Sequence, residues 1–204
     1  MKVLAEIPPR PSPDLRTGTL RRGDLEAFGG LLEELRGARV VLIAGEVPGR
    51  REASVGLAAA AAAVGTRTAL LECDLVEPGL ADALGLATAP GLHEYLLEKV
   101  EAEGILKPVV LAGPGSAEAT EPLVCVVAGR PAGDAGALLA SDRLRPAIEG
   151  LRSAYELVVI DGPSLQDEHG LQAVSAFADS TLACLGPSDP RNLSTPVSGV
   201  VIQH

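Results

Sequence analysis

Short runs of wholly apolar residues recur along this chain, and segments with helical spacing lie between most of them. Val40 to Ile43, Thr68 to Leu71, Leu123 to Val127, Leu157 to Ile160 and Thr181 to Leu185 have almost no polar alternation. That is the pattern of strands buried on both faces rather than on one. Two weaker runs, Lys2 to Ile7 and Val200 to Ile202, add strands near either end, and Val109 to Ala112 is a strand or the approach to one. Between them, Asp24 caps a predicted helix running to about Arg36, with Leu25, Phe28, Leu31, Leu32 and Leu35 on one face. Glu52 to Val64 is mostly alanine, the best helix former, and Gly65 is placed to stop it. Further helices are predicted over Gly79–Leu84, Gly91–Val100, Leu144–Ala154 and Leu171–Ala178, with Ala132–Gly136 as loop.

Apolar strands alternating with helices predict an α/β fold: three layers, with a mostly parallel central sheet and helices on both faces. Ligands of such sheets sit at the carboxyl ends of the strands. We expect residues 1–38 to form an N-terminal strand, a proline- and charge-rich linker and a helix packed on the core. Residues 39–204 form the main unit, and the whole is one globular body.

Composition narrows the class. With 204 residues and 47% hydrophobic content a large core is available, but only 2% of residues are aromatic and none is Trp. The core must therefore be built of Ala, Val and Leu. The formal net charge is −10, against the clustered cations that sequence-independent nucleic-acid binding requires. Cys73, Cys125 and Cys184 lie far apart, each in or beside an apolar run, and read as small buried hydrophobes in a reducing compartment. The alanine run is too short and too closely flanked by charge to span a bilayer, and the N-terminus does not read as a signal peptide. The expectation is a cytoplasmic protein. His93 and His169 have no ligand-like spacing and read as surface or cap residues.

The candidate chemistry lies between Arg39 and Pro78. A loop of Gly45, Glu46, Val47, Pro48 and Gly49 joins an apolar strand to the alanine helix, where backbone N–H groups and the helix N-terminus cradle phosphates. The P-loop pattern is G-x-x-x-x-G-K-[S/T], whose lysine reaches the outer phosphates and whose hydroxyl holds magnesium. Here Gly49 is followed by Arg50 and Arg51, so the frame survives and both functional side chains are replaced. Glu72 and Asp74 close the second strand of this stretch and Asp161 closes a later one. The three should meet the loop at one sheet edge, the arrangement that holds a nucleotide and its magnesium.

Over nearly its whole length the sequence resembles the bacterial tyrosine kinases (BY-kinases) of capsule and exopolysaccharide synthesis, relatives of the MinD/ParA deviant P-loop ATPases. Val3-Leu4-Ala5-Glu6-Ile7-Pro8 is similar to that family's V-L-G-x-I-P opening, and Glu26-Ala27-Phe28 to the start of E-A-F-R-x-L-R. Pro48-Gly49-Arg50-Arg51 falls on P-G-E-G-K-[S/T], aligned at G-K-[S/T]. Leu70 to Pro78 (LLECDLVEP) resembles L-[I/V]-D-A-D-L-R-x-P, and Gly91 to Leu96 resembles G-L-S-D-V-L. Cys125 to Gly129 follows V-L-P-A-G, Ala137 to Ser141 follows E-L-L-x-S, Tyr155 to Pro163 follows Y-D-x-V-I-I-D-x-P, and Gly199 to Ile202 follows G-V-V-L.

The resemblance implies ATP or ADP with magnesium in the loop, Glu72, Asp74 and Asp161 as the catalytic carboxylates, and Asp161 and Asp74 at the metal. The departures bear on each. Arg50 and Arg51 stand for the lysine and the magnesium hydroxyl, Glu72 for an aspartate, and Val76 for an arginine. The family's two ring-assembly arginines fall on Gly29 and Leu32, which implies a monomer or dimer. Its tyrosine cluster does not appear before His204. The expectation is a non-catalytic or weakly nucleotide-binding regulator or adaptor, partnered by a membrane-embedded polysaccharide co-polymerase or activator and recruited to the inner membrane face. The alternative is an active ATPase or tyrosine kinase in which Arg50 replaces the lysine. A MinD/ParA-type positioning ATPase fits less well, because Gly45 stands at that group's signature lysine. An iron–sulfur carrier would want a C-x-x-C.

Overall fold

The computed structural model describes residues 2–7, 22–46, 49–109, 123–186 and 196–203, with side chains of the first helix described from Phe28 onward. Its strands are β1 (Val3–Ile7), β2 (Val40–Gly45), β3 (Thr68–Glu72), β4 (Lys107–Val109), β5 (Leu123–Val126), β6 (Leu157–Asp161), β7 (Ser180–Leu185) and β8 (Gly199–Gln203). They form one sheet in the order β1-β8-β7-β2-β6-β3-β5-β4, parallel throughout except for β4, which runs antiparallel to β5 at one edge. β2, β3 and β6 are buried at every position, which is why their sequences show no alternation.

The helices are α1 (Arg22–Glu34), α2 (Gly49–Ala63), α3 (Leu80–Leu84), α4 (Leu92–Leu96), α5 (Ala135–Leu139), α6 (Leu144–Ala154) and α7 (Glu168–Ser175). α1 and α2 cover one face of the sheet and α4 to α7 the other, giving the expected three layers. α2 is buried on all sides between the sheet and α1, so the small side chains of its alanine run are a packing requirement as well as a helix signal. A Cβ on Gly56 would overlap the Phe28 ring of α1, so the two helices meet at a point only glycine permits. Gly65, at φ +87°, ends α2 where the sequence placed the stop.

Several expectations shift. Residues predicted as loop at 132–136 overlap α5, whose first turn is capped by the Asp134 carboxylate accepting from Ala137 N. α7 starts three residues early because Asp167 caps it by accepting from Gly170 N. The helix expected over 91–100 is the shorter α4, and Lys107–Val109 is the strand near the predicted Val109–Ala112, of which residues 110–112 lie outside the described residues. The linker over Arg10–Arg22, apart from its last residue at the start of α1, also lies outside them, as does most of 187–197. Among the described residues, no helix is long and apolar enough to cross a membrane.

Candidate functional site

Parallel pairing places the candidate residues together. β6 lies between β2 and β3, with Ile43 and Glu72 both in register with Asp161. Their carboxyl ends therefore deliver Gly45, Glu72 and Asp161 side by side, with Asp74 two residues beyond β3. α2 begins at Gly49 directly above them. Val47 and Pro48 lie outside the described residues.

Arg50 dominates the geometry. Only 1% exposed, it turns inward from the first turn of α2 and donates from Nη2 to Asp74 Oδ2 at 2.7 Å, from Nε to Asp161 Oδ1 at 2.9 Å, and from Nη1 to the Gly45 carbonyl at 3.2 Å. A planar guanidinium can span two carboxylates and a carbonyl in this way, whereas an ammonium offers a point charge. Burial works against the Arg50 charge, yet Asp161 and Asp74 hold its pKa above the ordinary value. Burial pushes Asp161 up, against the pull of Arg50, Arg51 and the Ser54 hydroxyl.

Arg51 closes the outer side. Its Nη2 donates to the Glu77 carbonyl at 2.8 Å, and its guanidinium stands 3.9 Å from both Glu72 and Asp161. It also occupies the space a Gly79 Cβ would need, with Cζ 2.5 Å from that position. Ser54, one turn along α2, has its hydroxyl 3.1 Å from Asp161 Oδ1 and 2.9 Å from the Arg50 carbonyl, two acceptors that share its single proton. Sequence reasoning passed over it. The available signal was a lone hydroxyl, one turn past the arginines, in a helix otherwise rich in alanine.

The two remaining acids are committed to backbone donors. Asp74 Oδ1 accepts from Val76 N and Glu77 N, folding the turn after β3. Glu72, fully buried, accepts from Gly79 N at 2.7 Å and Leu80 N at 2.8 Å through Oε1, and from Ala128 N at 2.8 Å through Oε2. Its carboxylate thus ties the start of α3 to the end of β5. Glu46 points away from this cluster: it is exposed, and its Oε1 accepts from the Ser164 hydroxyl at 2.6 Å.

Whether magnesium and a nucleotide fit can be judged on the donors. One oxygen of Asp74 and one of Asp161 are engaged by Arg50 nitrogens, the other Asp161 oxygen is buried without a hydrogen bond 3.9 Å from Arg51 Nε, and the position of the magnesium hydroxyl carries the cation Arg51. Among the described residues no group of three or more His, Cys, Asp or Glu is arranged to hold a metal ion. The residues present do not fit the ion. His93 Nδ1 lies 2.7 Å from the Arg130 carbonyl, a backbone partner rather than a ligand set.

Comparison with known proteins agrees with this architecture. No family model matches the chain. The succinoglycan biosynthesis transport protein ExoP of Rhizobium meliloti (strain 1021) is 28% identical over a stretch that covers 71% of this chain, and the chain spans only 18% of ExoP. Among solved structures, the chimerical protein CapA2B2 superposes with a TM-score of 0.79 at 18% identity, over 98% of this chain and 93% of its own. The kinase domain of the Escherichia coli tyrosine kinase ETK gives 0.77 at 17% identity, over 99% and 89%. MinD of Pyrococcus horikoshii, solved with Mg-ADP, is more distant at 0.57, over 74% and 58%. The chain therefore carries the three-layer, P-loop NTPase-like fold of the bacterial tyrosine-kinase domains its motifs resemble, with the MinD-type ATPases further off.

Proposed function

We propose that this chain is a BY-kinase-like regulator or adaptor of exopolysaccharide synthesis that performs no phosphoryl transfer. The observation that carries the reading is the buried Arg50 guanidinium bonded to both Asp74 and Asp161. Two carboxylates that each already share one oxygen with a tethered cation are poor ligands for magnesium, and a loop without lysine or hydroxyl lacks the remaining contacts to Mg-nucleotide. The name of ExoP supports the polysaccharide context, and the kinase-domain folds support descent from a nucleotide site. On this reading the working surface is presented to a protein partner, a membrane-embedded polysaccharide co-polymerase or activator, from the cytoplasmic side, and the protein is a monomer or dimer.

The retention of Asp74 and Asp161 in one cluster favours a second reading, an active ATPase or kinase with Arg50 at the phosphates. Calorimetric titration with ATP and ADP, with and without magnesium, separates the two. The adaptor reading expects no heat from the wild type and magnesium-dependent binding in the double variant Arg50→Lys/Arg51→Thr. Tight magnesium-dependent binding by the wild type, or turnover that disappears in Asp161→Ala, would overturn it.

A further inference from the structure

We infer that Arg50 and Arg51 form an internal lock: they take the place of an exchangeable cation and hold the segment from Glu72 to Leu80 in one arrangement that no ligand is needed to set. This rests on the reading of the site as one that does not use Mg-nucleotide, and it adds what the site does instead.

The segment is fastened to the arginine pair at several points. Arg50 reaches Asp74 from α2 and, through the same guanidinium, ties it to Asp161 of β6 and Gly45 of β2. Asp74 passes the constraint on, because its other oxygen holds Val76 N and Glu77 N. Arg51 holds the Glu77 carbonyl three residues beyond Asp74. Gly79 follows, and its missing side chain makes room for the Arg51 guanidinium. Glu72 then anchors Gly79 N and Leu80 N, the entry to α3. The turn is therefore bridged to α2, β2 and β6 by side chains that cannot dissociate.

A bound ion or nucleotide stabilises the arrangement it binds only in proportion to its free concentration. Covalent tethering removes that dependence. A segment held by an exchangeable ligand alternates between states as the ligand comes and goes, whereas this segment keeps one state, so the surface formed by 72–80 and α3 is presented constitutively.

Hydrogen exchange measured by mass spectrometry on the full chain tests the lock, with EDTA, with millimolar Mg²⁺ and with Mg-ATP, in the wild type and in Arg50→Met. The wild type should show the same protection over 72–80 in all three conditions. Arg50→Met should lose protection there by about tenfold or more while peptides of β2 and β6 keep theirs, since local opening is separable from global unfolding. A rise in wild-type protection over 72–80 with Mg²⁺ or Mg-ATP would overturn the lock, and this arm needs no variant to fold. Unchanged protection in folded Arg50→Met would overturn it as well. Nucleotide binding that leaves 72–80 unaltered would sink the adaptor reading and leave the lock standing. A rise in protection with Mg²⁺ alone would overturn the lock, and whether the protein transfers phosphoryl groups would still be decided by the nucleotide titration and turnover.

Discussion

Replacing Glu72 by glutamine tests whether its buried carboxylate works as an anchor for the start of α3 and the end of β5. Its position at the end of β3 marks it as a carboxylate able to help activate an attacking oxygen, whereas its contacts make it a structural anchor. Three backbone N–H groups converge on it, from Gly79, Leu80 and Ala128. No acceptor for a carboxylic proton is among these partners, so the contact set suits the anion. Burial nonetheless outweighs the three N–H bonds and, with Asp161 nearby, holds its pKa above the ordinary glutamate value. Glu72→Gln keeps the shape and one oxygen but turns an amide NH₂ toward one of those donors. A hydrogen bond to a charged group contributes about 1.5–3 kcal/mol, and the facing donors add to that loss. The expected cost is about 2–3 kcal/mol, and at this chain length roughly 2–4 °C of melting temperature follows each kcal/mol. Glu72→Ala leaves two buried donors and one half-buried donor unpaired, at about 1–3 kcal/mol for each buried one, and should take a large part of the stability of a typical domain. Thermal and urea unfolding followed by circular dichroism measures both. A Glu72→Gln protein within about 0.5 kcal/mol of wild type would refute the anchor, the more so if that variant also abolished an ATPase activity of the wild type.

Two further predictions probe the frame around the site. Gly56→Ala should destabilise, although alanine is favoured over glycine by about 1 kcal/mol inside a helix: the new methyl meets the buried Phe28 ring, overpacking costs about 1–3 kcal/mol, and Phe28→Leu in the same chain should recover part of it, as read by urea midpoints in a double-mutant cycle. Asp179 receives N–H bonds from Arg39 and Val40 at the start of β2 and a guanidinium bond from Arg152; burial opposes its charge, but these partners hold its pKa below the ordinary value. A depressed carboxylate stabilises above its unfolded pKa of about 3.9 and loses that contribution as pH falls through its folded value. Asp179→Asn should therefore cost about 1 kcal/mol at neutral pH, reduced by the partial exposure of the site, and the gap to wild type should close in acid. A gap that stays constant down to pH 3 would refute the assignment.

What could be read from sequence, and what could not, follows from the range of the interactions involved. β2, β3 and β6 were legible because burial on both faces leaves its mark on every residue of the strand. The meeting of Gly45, Glu72, Asp74 and Asp161 was legible because parallel α/β topology brings such strand ends together. α5 and the first turn of α7 were missed although Asp134 and Asp167 stood at the capping positions, since the weakly apolar stretches behind them gave no helical period. The Glu72 anchor depends on Ala128 N, 56 residues away, and the inward turn of Arg50 depends on three strand ends that pattern alone cannot orient. Replacement of the loop lysine was visible in the sequence. Its consequence, a guanidinium lodged among the acids, was not.

Charge explains why the two arginines act together. A P-loop site brings a divalent cation and a lysine, three positive charges, to its acids and phosphates. Here Arg50 and Arg51 bring two, against Glu72, Asp74 and Asp161. Glu72 is answered by three N–H dipoles and one oxygen of Asp74 by two, so the arginines have mainly Asp161 and the other Asp74 oxygen left to serve. Arg50 alone bonds to both. The mismatch that remains lies between Asp161 Oδ2 and Arg51 Nε, both buried, neither hydrogen-bonded among the described residues, and 3.9 Å apart. That gap is too long for a hydrogen bond but brings opposite charges together in a buried site, where their attraction is stronger than in water. An added divalent ion would face two fixed guanidinium groups as well as the acids. The arginine pair thus balances most of the carboxylate charge, leaving one oxygen of Asp161 without a hydrogen bond, and opposes an ion that would compete for the acids, which is why replacing lysine and hydroxyl together is chemically coherent where replacing either alone would not be.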